Sequence, residues 1–275
     1  MRQLALCRRA ASTAAAGKAV RVKQPTERFT GRVDHYARYR PSYPSGAIDL
    51  LESRCGLSGA AVVADIGSGT GILSELLLAR AAQVIGVEPN ESMRRAAERR
   101  LGGEARFRSV NGSAEATTLG AASVDLLTVG QAFHWFDTAR ARLEALRVLR
   151  PGKFAALLWN ERPRELTAFL ADYEALLRRH APEYADIVAR RAEEASMRRF
   201  FGGAMELEAF PNEQIFDFEG LTGRLLSTSY APEPGDAHYE PLMAGLREVF
   251  ERHERAGRIV FPYRTLVYFG PLRSS

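Results

Sequence analysis

The chain has 275 residues, of which 46% are hydrophobic and 26% are charged, so its length allows one large domain or two small ones. These proportions are typical of a globular protein with a full core, and they exclude a disordered chain, a collagen and a coiled coil. Two cysteines, Cys7 and Cys55, are too few for a disulfide framework or a cysteine-rich metal site. The most apolar stretch, 71–87, is interrupted by charged and polar residues, so we expect no membrane span.

The net charge of +5 is concentrated at the N-terminus. Residues 1–26 hold six of the 38 basic residues and no acidic one, so the rest of the chain carries 32 basic against 33 acidic residues. A surface that binds nucleic-acid phosphates needs its basic excess on the folded domain. We therefore expect no nucleic-acid partner.

Residues 1–28 are interpreted as a leader that is either disordered or a targeting peptide. An Arg- and Ala-rich segment with Ser12 and Thr13 and without acids is typical of a mitochondrial transit peptide, but a solvated terminus can have the same composition. The stretch 4–6 is too short for the apolar region of a secretory signal. We expect a cytoplasmic protein, with a mitochondrial one as the alternative.

Five short apolar runs with helical patterns between them follow the leader. Helical spacing of leucines follows the first run, Asn90 is placed to cap a helix through Arg100, and Asp137 is placed to cap one that buries Leu143, Leu146 and Leu149. The runs themselves are predicted strands, at 61–66, 83–87, 105–110, 123–130 and 153–159. This alternation predicts an α/β fold with a doubly wound, Rossmann-like sheet.

The C-terminal part is predicted to add helices to this sheet. Residues 163–212 and 239–254 both show helical spacing of apolar residues, and such insertions are expected to form a cap over an acceptor pocket. Ligands bind doubly wound sheets beyond the carboxyl ends of the strands. We therefore expect functional residues in the loops that follow the strands, at 65–71, 88–93, 111–115 and 131–137.

The first of these loops has three alternating glycines, in the stretch Asp65-Ile-Gly-Ser-Gly-Thr-Gly71. Alternating glycines allow a tight turn and the close approach of a ligand to the backbone. The spacing fails the dinucleotide fingerprint, because Ile72 or Ser74 stands where its third glycine or alanine belongs, and no Lys-Ser/Thr pair of a P-loop follows. A nicotinamide oxidoreductase is therefore disfavoured.

Two acidic residues accompany the glycines. Asp65 precedes the first glycine by two residues, and Glu88 ends the second predicted strand at the distance where an acid meets ribose hydroxyls. A carboxylate is unfavourable beside a pyrophosphate but suits a cationic ligand. S-adenosylmethionine carries an ammonium and a sulfonium and no phosphate, so this pattern favours it as the cofactor.

Four stretches carry a resemblance to a known family: ADIGSGTGILSELL, VIGVEPNESM, VNGSAEATTL and SVDLLTVGQAFHWFD. They resemble the class I S-adenosylmethionine-dependent methyltransferases, and in particular the small-molecule branch that includes the trans-aconitate methyltransferase-like proteins (methyltransferase type 11 family). The segment 29–44 and the stretches SYAPEPG and FPYRTLVYFG extend this resemblance over nearly all residues after 28.

The resemblance implies a seven-stranded sheet with a sixth strand near 213–218 and an antiparallel seventh near 258–269. It also implies positions for the cofactor. Asp65, Gly67 and Gly69, with Ser68 between them, would line the methionine part, Glu88 would meet the ribose, and Gln131 would lie beside the methionine end. The remaining implied residues surround the adenosine or its adenine: Pro89, Met93, Ser113, Ala114 and Glu115.

Three residues are candidates for catalysis. His134 follows the fourth strand and is either a general base or substrate orienter, or a residue that only shapes the pocket. Its aromatic neighbours Phe133, Trp135 and Phe136 form either an apolar wall or part of the core. Tyr36 and Arg40 lie in an aromatic segment that two prolines are expected to keep from forming a helix. This segment is expected to act as a lid. Arg40 either pairs with a carboxylate of the donor or the acceptor, or is a surface arginine in a turn.

The sequence thus predicts a single methyltransferase domain over 29–275, with a cofactor-binding core at about 60–160 and a cap and C-terminal strands at 161–275. The expected activity is methyl transfer to a small molecule, with a carboxylate or hydroxyl oxygen favoured. The alternative is a non-catalytic relative that serves in assembly or as a scaffold. We expect a monomer or weak homodimer, and no metal, because the remaining histidines show no ligand spacing.

Overall fold

A computed structural model describes residues 33–164, 166–185 and 194–273. Its seven strands form one sheet in the order β3-β2-β1-β4-β5-β7-β6. The first five strands are parallel, and β7 is antiparallel to both β5 and β6. The predicted doubly wound α/β fold with an antiparallel last strand is therefore confirmed. The strands are β1 Val62–Ile66, β2 Gln83–Val87, β3 Phe107–Val110, β4 Val124–Gly130, β5 Leu149–Glu161, β6 Glu206–Phe216 and β7 Ile259–Pro271.

Helices connect the strands and cover the sheet. The predicted caps are confirmed: the Asn90 side chain accepts a hydrogen bond from the Met93 N–H, and the Asp137 side chain accepts from those of Ala139 and Arg140. In chain order the helices are α1 Val33–Tyr39, α2 Ser45–Cys55, α3 Ile72–Leu78, α4 Glu91–Leu101, α5 Thr138–Val148, α6 Ala168–His180, α7 Glu194–Phe201, α8 Phe218–Leu226 and α9 Tyr239–His253.

Apolar side chains cover both faces of the sheet. One cluster, which includes Leu51 and Leu77, packs α2 and α3 on one face, and another, which includes Ala145 and Phe200, packs α5 and α7 on the other. Residues on β1, β4 and β5 are fully enclosed because parallel strands covered on both faces expose neither side. The sheet is thus a rigid platform for the loops at its edge.

A third apolar cluster lies beyond the sheet. It joins α6, α8 and α9 to the near ends of β6 and β7, with Tyr173, Leu221 and Phe261 among its buried members. We call α6, α8 and α9 the cap. Because β5 runs on to Glu161 in register with Arg264 of β7, the extended strands carry their side chains from the sheet into the cap.

Three sequence predictions about local structure are wrong. Residues 206–212 belong to β6 and not to a helix, because they pair with β7 as the edge strand of the sheet. Leu143 is 69% exposed and does not face the core. The segment with Tyr36 is helical, because α1 ends at Tyr39 and the first proline of the segment follows at position 41, past the helix end.

The predicted leader, 1–28, lies outside the described residues. Within the part of the chain that the structure describes, no helix combines the length and the apolar character needed to cross a bilayer.

Candidate active site

A cavity of about 520 Å³ lies at the carboxyl edge of the parallel strands. The loops that follow β1, β2, β3 and β4 line one side of it, and the end of β5 and the cap line the other. A smaller cavity of about 60 Å³ adjoins it at the glycine loop, between that loop and residues 36–43. The four loops expected from the sequence to carry function therefore do meet at one place.

The glycine loop turns sharply beneath this cavity. Gly67 and Gly69 have φ values of +67° and +56°, in the left-handed region that side chains disfavour. A Cβ on Gly67 would lie 2.6 Å from the Cβ of Ala132, whereas one on Gly69 would meet nothing within 4 Å. The first glycine is thus needed for packing, and the second leaves open space above the backbone.

Glu88 connects the glycine loop to the end of β2. One carboxylate oxygen accepts a hydrogen bond from the Gly69 N–H at 2.9 Å, and the other accepts from the Asn90 N–H at 2.8 Å. The side chain lines the larger cavity, is only 9% exposed, and its burial raises the pKa above the usual value. A carboxylate has about four acceptor positions, so two remain for a ligand.

Asp65 lies deeper than Glu88. Its two oxygens accept hydrogen bonds from the Ser74 hydroxyl at 2.7 Å and the Thr128 hydroxyl at 3.2 Å. Burial is the main cause that raises its pKa to about 7, and these two hydrogen bonds oppose the shift. The side chain is 1% exposed and lines the smaller cavity and not the larger one.

The other predicted cofactor residues also surround these cavities. Ser68 lines the smaller one, and Gln131 lines both with an unusual φ of +61°. A non-glycine residue in this region is strained, and such strain occurs most often at functional sites. The larger cavity is also lined by Pro89, Met93, Ser113, Ala114 and Glu115.

The aromatic loop after β4 divides between core and cavity. Phe133 is buried and packs edge-to-face against Phe136, Trp159 and Phe200, so it belongs to the core. His134, Trp135 and Phe136 line the cavity, and the rings of His134 and Trp135 are 4.6 Å apart. Of the aromatic neighbours of His134, Phe133 is therefore a core residue, whereas Trp135 and Phe136 form part of the cavity wall.

Tyr36 and Arg40 lie on the opposite wall, where α1 packs against α4 and α8. The Arg40 guanidinium lies over the Tyr36 ring, 4.8 Å from its centroid, and donates a hydrogen bond to the Ser227 carbonyl at 3.0 Å. Its Nε is buried, and none of the residues that the structure describes forms a hydrogen bond with it. Arg40 lines both cavities, so it is placed between the glycine loop and the cap.

Sequence reasoning missed the residues that line the cavity next to the cap. Arg162 directly follows β5, Arg224 lies on α8 and Tyr263 lies on β7. The last two are more than one hundred residues from the glycine loop along the chain. No local motif marks them. The only available signal was an arginine in an apolar helix, because Arg224 stands among leucines and glycines on α8.

Among 33–164, 166–185 and 194–273, the structure holds no group of three or more His, Cys, Asp and Glu residues that could bind a metal ion.

Comparison with known proteins supports the class that this arrangement suggests. An uncharacterised methyltransferase of Mycobacterium bovis is 41% identical over 138 residues, which are 50% of this chain and 54% of that protein. An uncharacterised methyltransferase-like protein of Schizosaccharomyces pombe is 26% identical over 87% of this chain and 93% of its own. The YcgJ protein of Bacillus subtilis shares the fold, with a TM-score of 0.55, 18% identity and coverage of 84% of this chain and 100% of that one.

The fold, with its antiparallel last strand and its glycine loop beneath a cavity, is that of the class I S-adenosylmethionine-dependent methyltransferases. Residues 64–157 match the family model described as a methyltransferase domain. The chain spans about half the length of the Mycobacterium relative that it matches.

Proposed function

We propose that this protein transfers a methyl group from S-adenosylmethionine to an oxygen of a small-molecule acceptor. The observation that carries the proposal is the position of Glu88, which is fixed by two backbone N–H groups while facing the cavity beside the open space above Gly69. The finer placement of the chain near the trans-aconitate methyltransferase-like proteins is part of this proposal.

The residues of the site fit this cofactor. The free acceptor positions of Glu88 would take the two ribose hydroxyls. The apolar surfaces of Pro89, Met93 and Ala114 would contact the adenosine, and Glu115 would lie at its polar edge. Asp65 and Arg40 both line the smaller cavity, where their opposite charges would suit the ammonium and the carboxylate of the methionine end.

When bound, S-adenosylmethionine supplies a methyl group on a positively charged sulfur, which leaves as a neutral thioether when an acceptor oxygen bonds to the methyl carbon. The task of the chain is therefore to orient the acceptor and to exclude water. Trp135 and Phe136 line the cavity with apolar surface beside Gln131. They would keep water from the acceptor oxygen.

His134 has a part that depends on the acceptor. A hydroxyl must lose its proton as the new bond forms, and the imidazole of His134 would then accept that proton. A carboxylate has no proton to lose, and His134 would then only orient it. The same residue thus distinguishes the two favoured oxygen acceptors by its effect on turnover.

The alternative function, a non-catalytic protein used in assembly or as a scaffold, remains as the second candidate. Such a non-catalytic relative either binds the cofactor or has lost it. The cavity of about 520 Å³ favours the enzyme, because a protein that only bound the donor would not need room for an acceptor. The test is a metabolite mixture incubated with methyl-labelled donor. We expect one compound to gain the label, whereas donor binding without any transfer would support the scaffold.

A further inference from the structure

The side of the cavity nearest the cap is basic. Arg40, Arg162 and Arg224 all line it, and the last two are only 9% and 8% exposed. Burial of a guanidinium is unfavourable unless an anion compensates its charge. The carboxylates that face these groups therefore decide how much of their charge is compensated.

Arg224 is held firmly, but no carboxylate of the described residues pairs with it. Its Nε donates a hydrogen bond to the Tyr263 hydroxyl at 2.8 Å, and its guanidinium lies 5.7 Å from the ring centroids of both Phe261 and Tyr263. Tyr263 in turn donates to the Gln214 side chain at 3.1 Å. No ion pair joins Arg224 to any carboxylate among the described residues. Its charge also acts on Arg40, whose pKa is lowered by burial first and by Arg224 second.

Arg162 has a carboxylate partner, Glu174, but other arginines contact the same carboxylate. Its Nη2 contacts Glu174 at 2.5 Å and the Tyr184 hydroxyl at 2.5 Å. The same carboxylate lies 3.0 Å from Arg178 and 3.9 Å from Arg164, so three guanidinium groups surround one acid. The Nη1 of Arg162 is buried and finds no hydrogen-bond partner within the described parts of the chain. The pair therefore leaves positive charge uncompensated at the cavity.

A further carboxylate, that of Glu161, does not compensate this positive charge. Glu161 lines the cavity, but it forms an ion pair with Arg264 at 3.0 Å. The larger cavity thus combines an acidic side at Glu88 with a basic side at Arg162 and Arg224, and Asp65 lines the smaller cavity that adjoins it.

An apolar wall adjoins the basic side. The Trp159 ring packs edge-to-face between Phe133 and Tyr268, with centroid distances of 6.2 and 5.9 Å. Trp159 and Tyr268 line the cavity together with Phe136 and Met197. These side chains offer contact area and few hydrogen bonds, so they suit an apolar part of a ligand.

We propose that the acceptor is an amphiphilic acid, whose oxyanion head is held by Arg224 and Arg162 and whose apolar body lies against the wall of Trp159 and Tyr268. This inference rests on the proposed function, because it names the acceptor class of that same cavity. A guanidinium binds the paired oxygens of a carboxylate or a phosphate monoester through two parallel hydrogen bonds. The aromatic rings that flank both arginines keep these groups in place before the ligand arrives.

The test compares an acid with its neutral analogue on the full chain, by calorimetry. We expect 3-phenylpropanoate to bind roughly tenfold or more tightly than 3-phenylpropanamide, which is the factor that loss of one charge-assisted hydrogen bond gives. Succinate, which lacks the apolar body, should bind more weakly than 3-phenylpropanoate. Phenyl phosphate shows which of the two oxyanions the head prefers.

Substitution of the arginine locates the binding. Arg224→Gln should remove the preference for the acid, while Arg140→Gln, a change at an exposed residue of α5 outside the cavity, should keep it. Equal binding of acid and amide by the wild-type chain, or no binding of the acid at millimolar concentration, would overturn the proposal even if Arg224→Gln failed to fold. Succinate binding as tightly as 3-phenylpropanoate would overturn the apolar wall.

The same measurements separate this inference from the proposed function. If S-adenosylhomocysteine fails to bind while the acid does, the donor assignment is wrong and the anion site stands. If S-adenosylhomocysteine binds and the acid shows no advantage over its amide, the donor assignment stands and the acceptor class is wrong.

Discussion

Replacement of Glu88 by Gln tests the ribose assignment most sharply. Glutamine keeps the volume of the side chain but presents one acceptor oxygen in place of two. Since Glu88 accepts from both Gly69 and Asn90, one of these N–H groups would then face the amide nitrogen. The substitution therefore disturbs the loop as well as the ligand, and its assay must separate the two effects.

Two ligands make this separation possible. Adenosine carries both ribose hydroxyls, whereas 2′,3′-dideoxyadenosine carries neither, so a disturbed loop weakens both while a lost ribose contact weakens only the first. Two hydrogen bonds to an ionised carboxylate contribute about 3 kcal/mol at the lower end of their range, which is roughly a hundredfold in affinity. We expect calorimetry to show a preference of this order in the wild-type protein.

In the Glu88→Gln variant this preference for adenosine should fall to less than about tenfold, because at most one such bond is retained. Glu91→Gln is the matched control, since Glu91 begins the neighbouring helix α4 but pairs with Arg95 at the surface. The same preference in the Glu88 variant and in the wild type would refute the reasoning, whatever the absolute affinities.

Three further predictions concern His134, Asp65 and the leader. His134→Ala should lower kcat by about 10²–10⁴ for a hydroxyl acceptor and leave the affinity for S-adenosylhomocysteine unchanged; an equal loss in both would make His134 a structural residue. Asp65 holds its proton more tightly in the folded state, at a pKa of about 7, than in the unfolded state, so its contribution to stability decreases as the pH rises from about 4 to 7. Asp65→Asn should not show that decrease in the free energy of unfolding, and a pH profile identical to that of the wild type would contradict the assignment of the raised pKa to Asp65. Deletion of residues 1–26 should leave thermal unfolding and cofactor affinity unchanged, and aggregation of the shortened chain would show that the leader is part of the domain.

Strands β1, β2 and β4 were predictable because each is a largely apolar run that ends in a loop with distinctive residues. The prediction for β2 agrees with the structure at both ends, and those for β1 and β4 differ by one residue. A strand buried on both faces has only apolar positions, so its sequence alone marks it. Local capping residues did the same for α4 and α5.

The errors lie where tertiary contacts decide the structure. Strand β6 exposes much of one face and carries Pro211 at the sheet edge, so its sequence has no continuous apolar run. Leu143 falls at helical spacing with buried neighbours and is nevertheless exposed, because periodicity does not fix how far a helix face extends over the core.

The candidate site divides in the same way. Residues on the glycine loop and after β2 could be predicted, because local backbone requirements and charge mark them. Arg162 and Arg224 could not be predicted, because they meet at one cavity only when β5 and β7 pack against the cap. The proposed cofactor residues are thus predictable from motifs, whereas the proposed acceptor residues are brought together only in the folded structure.

We propose above that Glu88 and the open turn at Gly69 bind the ribose of S-adenosylmethionine. A crystal structure of the full chain with S-adenosylhomocysteine tests this directly. We expect both ribose hydroxyls within hydrogen-bond distance of the Glu88 carboxylate and the adenine beside Met93. A ligand bound elsewhere, or bound with its ribose turned away from Glu88, would contradict it.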